Sequence, residues 1–266
     1  NNGGSAITGY TATCGAQSQS GPGSPIVVTG LTNGTPVTCT VIATNGVGNS
    51  APSAASNSVT PATVPNAPTI GTATAGNAQV SVTFTPPANN GGSAITGYTA
   101  TCGAQSQSGP GSPIVVTGLT NGTPVTCTVI ATNGVGNSAP SAASNSVTPA
   151  TVPNAPTIGT ATAGNAQVSV SFTPPANNGG SAITGYTATC GAQSQSGPGS
   201  PIVVTGLTNG TPVTCTVIAT NGVGNSAPSA ASNSVTPATV PNAPTIGVAT
   251  AGNAQVSVTF TPPANN

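Results

Sequence analysis

Apolar and polar side chains alternate along several short stretches of this chain, and turn-forming residues separate the stretches. One set of alternating apolar positions comprises Val80, Val82, Phe84, Tyr98, Ala100, Cys102, Ile114, Val116, Leu119, Val125, Cys127, Val129 and Ala131. A period of two is typical of strands with one buried face. The intervening segments, such as PPANNGG, TNGTP and NGVGNSAPS, are rich in residues that form turns. The pattern predicts an all-β protein, and no stretch has the apolar period of a helix.

The whole pattern recurs at an interval of 88 residues, which is the step from Asn1 to Asn89 and from Asn89 to Asn177. The copies differ at two positions only, occupied by Thr83, Ser171 and Thr259 and by Thr72, Thr160 and Val248. Solenoid repeats have about 20–45 residues, so an interval of this length indicates a whole small domain. Roughly seven short strands per copy, with turns every 8–12 residues or so, predict a β-sandwich.

The chain contains no Asp, Glu, Lys, Arg or His, and this excludes most catalytic and binding chemistry. General acids and bases come mainly from these residues, and a serine nucleophile has no base to activate it. Calcium sites need carboxylates, and nucleic-acid binding depends on Lys and Arg. The sequence therefore predicts no catalytic residue, no cofactor, no metal site and no nucleic-acid partner. No apolar run reaches the roughly 18 residues of a membrane span.

Three segments carry a resemblance to a known family: TPPANNGGSAITGYTATC, PIVVTGLTNGTPVTCTVIATNGVG and NSAPSAASNSVTPATVP. Together they resemble a bacterial fibronectin type III domain, and the resemblance extends over the whole chain. It implies tandem seven-stranded immunoglobulin-like β-sandwiches. Phe84 stands where the family usually has a core Trp, and Tyr98 and Leu119 match core positions on later strands. Val125 departs from the family, which has a corner Tyr there, so the hydrogen bond of that corner is lost.

The cysteines are expected to replace this lost brace. Spacing alone allows 15 pairings of six cysteines, but the resemblance places the two cysteines of each copy on adjacent antiparallel strands. It implies three disulfides within domains, Cys14–Cys39, Cys102–Cys127 and Cys190–Cys215; buried free thiols are the alternative. Each bond would contribute roughly 3–4 kcal/mol in the chain-entropy model. Structural disulfides imply an extracellular or cell-surface location, on a bacterium if the resemblance extends to the source.

The resemblance also implies the domain boundaries, which fall in the proline-containing linker TPATVPNAPT. The expected domains are the last five strands of one repeat at 1–62, complete repeats at 63–150 and 151–238, and the first two strands of a further repeat at 239–266. Each incomplete repeat would expose half of a hydrophobic core. Either the chain is cut from a longer continuous polymer, or the two strands of one chain complete the five-stranded remnant of another.

The expected function is structural. Near-identical repeats present identical surfaces, and head-to-tail contact between identical surfaces propagates a fibre. We expect a non-catalytic segment of a long extracellular filament, stalk or sheath, whose partner is the protein itself. The alternative is a fibronectin type III spacer or adhesion module in a cell-surface adhesin or a secreted polysaccharide-degrading enzyme. Asn33-Gly34-Thr35 fits the N-glycosylation pattern, which would make glycans a further partner, but Pro36 follows it and TNG is also a plain turn, the interpretation that we favour.

Overall fold

A computed structural model describes residues 1–264, and Asn265 and Asn266, which fall in the expected repeat at 239–266, lie outside the described residues. The described part of the chain contains strands and no helix. The strands are β1 Ile7–Cys14, β2 Gln17–Gly21, β3 Cys39–Asn45, β4 Thr69–Gly76, β5 Gln79–Thr85, β6 Ile95–Cys102, β7 Gln105–Gly109, β8 Ile114–Thr117, β9 Cys127–Asn133, β10 Thr157–Gly164, β11 Gln167–Thr173, β12 Ile183–Cys190, β13 Gln193–Gly197, β14 Ile202–Thr205, β15 Cys215–Asn221, β16 Thr245–Gly252 and β17 Gln255–Thr261. The chain divides into two compact units. The first comprises Asn1–Ala75, Gln79–Leu119 and Pro124–Val147, and the second comprises Gly76–Ala78, Thr120–Thr123 and the chain from Thr148 onwards.

Strands β4 to β9 form two three-stranded antiparallel sheets, in the orders β4-β5-β8 and β7-β6-β9. The apolar members of the alternating pattern lie between the sheets as one core, in which the Phe84 and Tyr98 rings are 4.8 Å apart. In the second unit, β10 to β15 form the equivalent sheets and an equivalent core. The predicted fold class, an all-β immunoglobulin-like sandwich, is confirmed.

A polar segment without regular strand structure occupies the seventh strand position, beside β9. Ser138, Ser141 and Ser144 donate their backbone N–H groups to the carbonyl oxygens of Ala131, Val129 and Cys127, and each serine Oγ accepts the N–H of the same β9 residue. The serines are three residues apart, and they bond to alternate residues of β9. Each serine makes two hydrogen bonds to its one partner residue. This segment therefore covers the edge of the sheet with side-chain hydroxyls as well as backbone groups.

Asn145, one residue beyond the last of these serines, joins the two sheets. Its side-chain oxygen accepts the N–H of Ala73 at 2.9 Å, and its amide nitrogen donates to the Ala73 carbonyl oxygen at 3.0 Å. Ala73 lies on β4 at the position where the register of β4 on β5 shifts in the equivalent strand pairs of the later repeats. One asparagine side chain thus satisfies both backbone groups of an edge-strand residue.

Candidate interface between repeats

The cysteines of each repeat lie opposite each other on neighbouring strands. Cys102 on β6 is paired in register with Cys127 on β9, and both side chains are fully buried. Disulfide bonds join Cys14 to Cys39, Cys102 to Cys127 and Cys190 to Cys215, each across 25 residues of sequence. Val125, at the position of the missing corner tyrosine, pairs its backbone with Val147. The disulfide at Cys127 therefore lies two residues from Val125, where the corner lacks the family's tyrosine.

The polar side chains of the described residues carry only neutral groups. Between Asn1 and Ala264, no group of three or more His, Cys, Asp or Glu side chains is placed to hold a metal ion. The same part of the chain has no helix that is long and apolar enough to cross a membrane. What the sequence offers for recognition is therefore backbone, hydroxyl and amide groups, and these converge where one repeat meets the next.

In the first unit, the turn Thr32–Thr35 of one repeat packs against the NNGG loop of the following repeat. A Cβ added to Gly34 would lie 3.0 Å from the Cα of Gly92, and one added to Gly92 would overlap the Gly34 backbone nitrogen. Both glycines have positive φ, +82° and +83°, which residues with a side chain rarely adopt. The two backbones are therefore in direct contact, and any side chain at either position would separate them.

The linker runs through the same contact and is hydrogen-bonded on both sides. Gly34 N–H donates to the Pro61 carbonyl oxygen at 2.9 Å, and Thr63 N–H donates to that of Gly91 at 2.8 Å. The Asn133 amide, buried at the end of β9, donates to the Thr63 and Asn90 carbonyl oxygens, both at 2.8 Å. The turn Thr32–Thr35, the linker around Pro61 and Thr63, and the NNGG loop that ends at Gly92, together with the Asn133 amide, form one neutral hydrogen-bonded layer. We call it the junction layer.

The second unit contains the same layer, built from the equivalent residues. A Cβ added to Gly122 would lie 3.1 Å from the Cα of Gly180. Thr151 N–H donates to the Gly179 carbonyl oxygen at 2.8 Å, and the Asn221 amide donates to the Thr151 oxygen at 2.8 Å. The junction layer is thus a property of the repeat itself.

The asparagine of the TNG turn also has a structural role. In the second unit, the side-chain oxygen of Asn121 accepts the N–H of Ala78 at 2.8 Å, and its amide nitrogen donates to the side-chain oxygen of Asn77, also at 2.8 Å. Ala78 has a positive φ of 51°, a conformation that needs local support in a residue with a side chain. In this copy, the amide nitrogen that would carry an N-linked glycan is engaged in the fold.

The repeat that contains β1, β2 and β3 has an uncovered apolar face. Its segment Ile26–Thr29 has the sequence of β8 but is not a strand, because β8 forms its ladder with β5 and no counterpart of β5 among residues 1–264 lies on this segment. Val41 is 40% exposed, whereas its equivalent Val129 is fully buried. We call residues 5–59 the open half-sandwich.

The hairpin of β16 and β17 has the complementary property. It keeps the register of the other β4–β5-type hairpins, with Val256 opposite Ala251 and Val258 opposite Ala249. Every residue of both strands is nevertheless exposed. Phe260 is 59% exposed, whereas its equivalents Phe84 and Phe172 are 6% exposed. The hairpin has formed its backbone ladder without a sheet to cover its apolar face.

Sequence reasoning identified the cysteines and the turns, but it missed the serine segment, Asn133 of the junction layer and Asn145, which joins the two sheets. The SxxSxxS spacing of Ser138, Ser141 and Ser144 was a usable signal, because a three-residue period is that of a polyproline-type strand with one face turned inward. The hydroxyls of this segment bond to β9. Asn133 and Asn145 carried no such signal, since their partners lie 70 and 72 residues away.

Comparison with known proteins places these features in a family. The model of the family described as Fibronectin type III domain matches residues 66–147 and 153–235. Among solved structures, the FN1–FN3 domains of chicken CNTN1 are 17% identical, with 90% of this chain and 91% of that chain covered and a TM-score of 0.32. Domains A168–A170 of titin are 18% identical, with coverages of 76% and 75% and a TM-score of 0.41. No curated protein matches the chain.

Proposed function

This chain belongs to the fibronectin type III family, and from that premise we propose that it is a structural segment of a long extracellular filament, stalk or sheath. Its tandem disulfide-bonded domains form a structural or adhesion module, and the proposal assigns that module to a fibre. Successive repeats would stack head to tail through the junction layer. The single observation that carries the proposal is the recurrence of this layer, with the same residues, in each compact unit.

Recurrence matters because a contact that uses the same residues at every step imposes the same step each time. A head-to-tail contact of this kind does not close on itself unless its rotation permits a ring, and otherwise it extends. The first unit builds the contact from Gly34, Gly92 and the Thr63 linker residue, and the second unit builds it from Gly122, Gly180 and Thr151. Sequence identity between repeats therefore has a direct structural use in the proposed fibre.

The junction layer is also suited to a stiff connection. Glycine-to-glycine backbone contact leaves no flexible side chain between repeats, and hydrogen bonds hold the linker at Thr63 and Asn66 to the adjacent NNGG loop. Pro61 and Pro65 restrict φ two residues before and two residues after Thr63. A flexible spacer would be served better by an unbonded linker rich in Gly and Ser.

The neutral composition supports assembly as well. With no Asp, Glu, Lys, Arg or His, the surface has no ion pairs for salt to screen and no net charge to repel a neighbouring chain. Surfaces near zero charge associate more readily than charged ones. The three disulfides fit an oxidising environment outside the cytosol, which completes the proposal of an extracellular fibre.

Negative-stain electron microscopy of the concentrated native protein tests this function. We expect long filaments of constant width. Substituting Gly92→Val together with Gly180→Val should give filaments that bend, with a persistence length several-fold shorter. The matched control is Gly111→Val with Gly199→Val, because added Cβ atoms at those glycines meet nothing within 4 Å. Dispersed chains without filaments would contradict the proposal and favour the spacer or adhesion module.

A further inference from the structure

We propose that strand β7 of a repeat pairs edge to edge with the same strand of a second copy of this chain, in one antiparallel register, and so joins chains side by side. This contact would use the edge of a sheet and not the junction layer, so it goes beyond the head-to-tail stacking of the proposed function. Three features of β7 carry the inference: its free edge, the backbone groups on that edge and the symmetry of its sequence, QSQSG.

Strand β7 forms an uncovered edge of the sheet β7-β6-β9. The opposite edge, at β9, is covered by the segment with Ser138, Ser141 and Ser144. Among residues 1–264, β7 has β6 as its one ladder partner, and no backbone group outside this pair bonds to the backbone of Gln105–Gly109. All residues of β7 before Gly109 are exposed, and the same holds for β13 in the second unit. One edge of each such sheet is therefore closed and the other is open.

The usual means of protecting a sheet edge are missing from β7. Its sequence contains neither a charged residue nor a proline, and its pairing with β6 runs without a register shift. Charges, prolines and bulges are the features that normally keep an edge strand from pairing with another chain. An added strand would therefore find a regular and unobstructed ladder on β7.

The edge strands of the other sheet are less suited to pairing. Strand β8 has four residues and follows directly on Pro113. On β4, the Asn145 side chain already bonds both backbone groups of Ala73. The free edge of the complete repeat that can accept a strand is therefore the edge at β7.

The hairpin of β6 and β7 determines which backbone groups this edge presents. A two-residue turn, in which Gly103 has a φ of +56°, makes Cys102 and Gln105 the closing hydrogen-bonded pair. Hydrogen-bonded and non-hydrogen-bonded pairs alternate along an antiparallel ladder, so Ser106 and Ser108 belong to non-hydrogen-bonded pairs. Their N–H and C=O groups point away from β6. The free edge thus offers two donors and two acceptors.

The side chains agree with this assignment. Oγ of Ser108 lies 2.8 Å from Oγ1 of Thr99, and Oγ of Ser106 lies 2.9 Å from Oγ1 of Thr101. Side chains approach each other more closely in non-hydrogen-bonded pairs. Equivalent hydroxyl pairs connect β12 to β13, so both complete repeats present the same edge.

The strand complements itself in one register. With Gln107 opposite Gln107 of the second copy, each Ser106 lies opposite the other copy's Ser108, and every outward N–H meets an outward C=O. A register centred on Ser108 would place Ser106 opposite Pro110, which has no N–H. A register centred on Ser106 would place Ser108 opposite the turn residue Ala104. A second copy of β7, related by a twofold axis at Gln107, is therefore the occupant that this edge specifies.

Pairing in this register would also extend the hydroxyl rows across the contact. Ser108 of one copy and Ser106 of the other would lie on the same face, so that each row runs from Thr99 through both serines to Thr101 of the second copy. Hydroxyl groups both donate and accept hydrogen bonds, and cross-strand pairs of Ser and Thr stabilise a sheet. No charge on either chain opposes the approach.

Disulfide trapping of full-length variants tests the pairing. Gln107→Cys would place two thiols at the twofold axis, where the Cα atoms of a non-hydrogen-bonded pair are roughly 4.5 Å apart. Gln105→Cys is the matched control, because it changes the same residue type on the same face of the same exposed strand. Its two thiols would be four residues, or roughly 13 Å, apart along the ladder. Under mild oxidation we expect Gln107→Cys chains to form bonds between chains at least tenfold faster than Gln105→Cys chains.

A second substitution in the Gln107→Cys chain tests the backbone bonds. Ser108→Pro removes the outward N–H, and proline is tolerated on an edge strand where its nitrogen faces solvent. Ser108→Ala removes the same hydroxyl but keeps the N–H. We expect Ser108→Pro to slow formation of the 107–107 bond at least tenfold and Ser108→Ala to slow it less than threefold. Equal rates in the two variants would show that no backbone ladder joins the chains.

Negative-stain micrographs then separate this inference from the proposed function. We expect wild-type filaments to lie side by side, and a chain with Ser20→Pro, Ser108→Pro and Ser196→Pro to give single filaments. The three alanine substitutions at the same positions should preserve the bundles. Equal trapping of Gln107→Cys and Gln105→Cys, or bundles that persist with the prolines, would overturn the edge pairing and leave the filament standing. Rapid 107–107 bonding without filaments would support the pairing and contradict the fibre.

Discussion

At the residue scale, glycine is the residue on which the contact between repeats depends. Gly34 and Gly92 meet backbone to backbone, and both adopt positive φ values, so two separate reasons exclude a side chain. Composition alone could not reveal this, because the chain has 36 glycines and they lie in strands, turns and loops alike. The distinction between a turn glycine and a contact glycine exists only once the neighbouring repeat is in place.

The variants Gly92→Ala and Gly4→Ala distinguish the cost of the positive φ from the cost of breaking the contact between glycines. The substitutions occupy equivalent loop positions with φ values of +83° and +80°, so both should cost about 1 kcal/mol for the backbone conformation. Gly92→Ala should in addition displace the Thr32–Thr35 turn. The hydrogen of the Gly34 amide should then exchange with solvent at least tenfold faster in dilute protein solution. Gly4→Ala should leave this exchange unchanged. Equal exchange rates in the two variants would show that the glycine contact does not hold the turn.

At the element scale, the seventh strand position shows how an uncharged sequence protects a sheet edge. Regular ladders use backbone groups alone, but Ser138, Ser141 and Ser144 add a hydroxyl acceptor for every bonded residue of β9. Edge strands in other proteins often carry Lys or Pro for protection, and this chain has Pro but no Lys. Serine at every third position serves the same end without charge.

Ser141→Ala should weaken this edge. The Val129 N–H would lose the buried Ser141 hydroxyl as its acceptor, and an unsatisfied buried donor costs about 1–3 kcal/mol. Calorimetry should show one domain unfolding at a lower temperature while the other copy is unchanged, and the Val129 amide should exchange faster. Ser146→Ala is the control, because Ser146 is exposed. Loss of stability in the control to the same extent would mean that the hydroxyl bond is not responsible.

At the scale of the whole molecule, the repeat of β1 to β3 and the hairpin of β16 and β17 each expose an apolar face that is buried in the complete repeats. The hairpin forms its own ladder from Thr245 to Thr261, whereas the Ile26–Thr29 segment does not form a strand without a partner. The two strands of the hairpin are neighbours in sequence and share a tight turn, although an isolated two-stranded hairpin is only marginally stable in water. The Ile26–Thr29 segment has no such neighbour, since the equivalent strand β8 pairs with β5, which is distant in sequence.

The missing charges give a prediction for the molecule as a whole. With no ionisable Asp, Glu, His, Lys or Arg, folding should bind or release almost no protons between about pH 4 and pH 8. The unfolding temperature should therefore change by less than about 1 °C across this range, and equally little between low salt and physiological salt. Scanning calorimetry over a grid of pH and NaCl concentration measures both. A shift of several degrees would indicate bound ions or charged modifications.

The sequence by itself determined the repeat interval, the all-β fold and the chemistry that is excluded. Alternating side chains along β5, β6 and β9 and the turn residues between strands are local features, so their consequences can be deduced from neighbours in the chain. The resemblance to the family rests on the same local segments. The cores around Phe84 and Phe172 follow from this pattern.

Only the tertiary structure decided which glycines touch, which serines turn inward and which asparagines bridge strands. Gly34 and Gly92 are 58 positions apart, and Asn145 bonds a residue 72 positions away, so no local pattern connects them. The same holds for the open half-sandwich and the exposed hairpin. Their apolar positions are identical in sequence to those of the complete repeats, and only the presence or absence of a covering sheet distinguishes a buried core from an exposed apolar face.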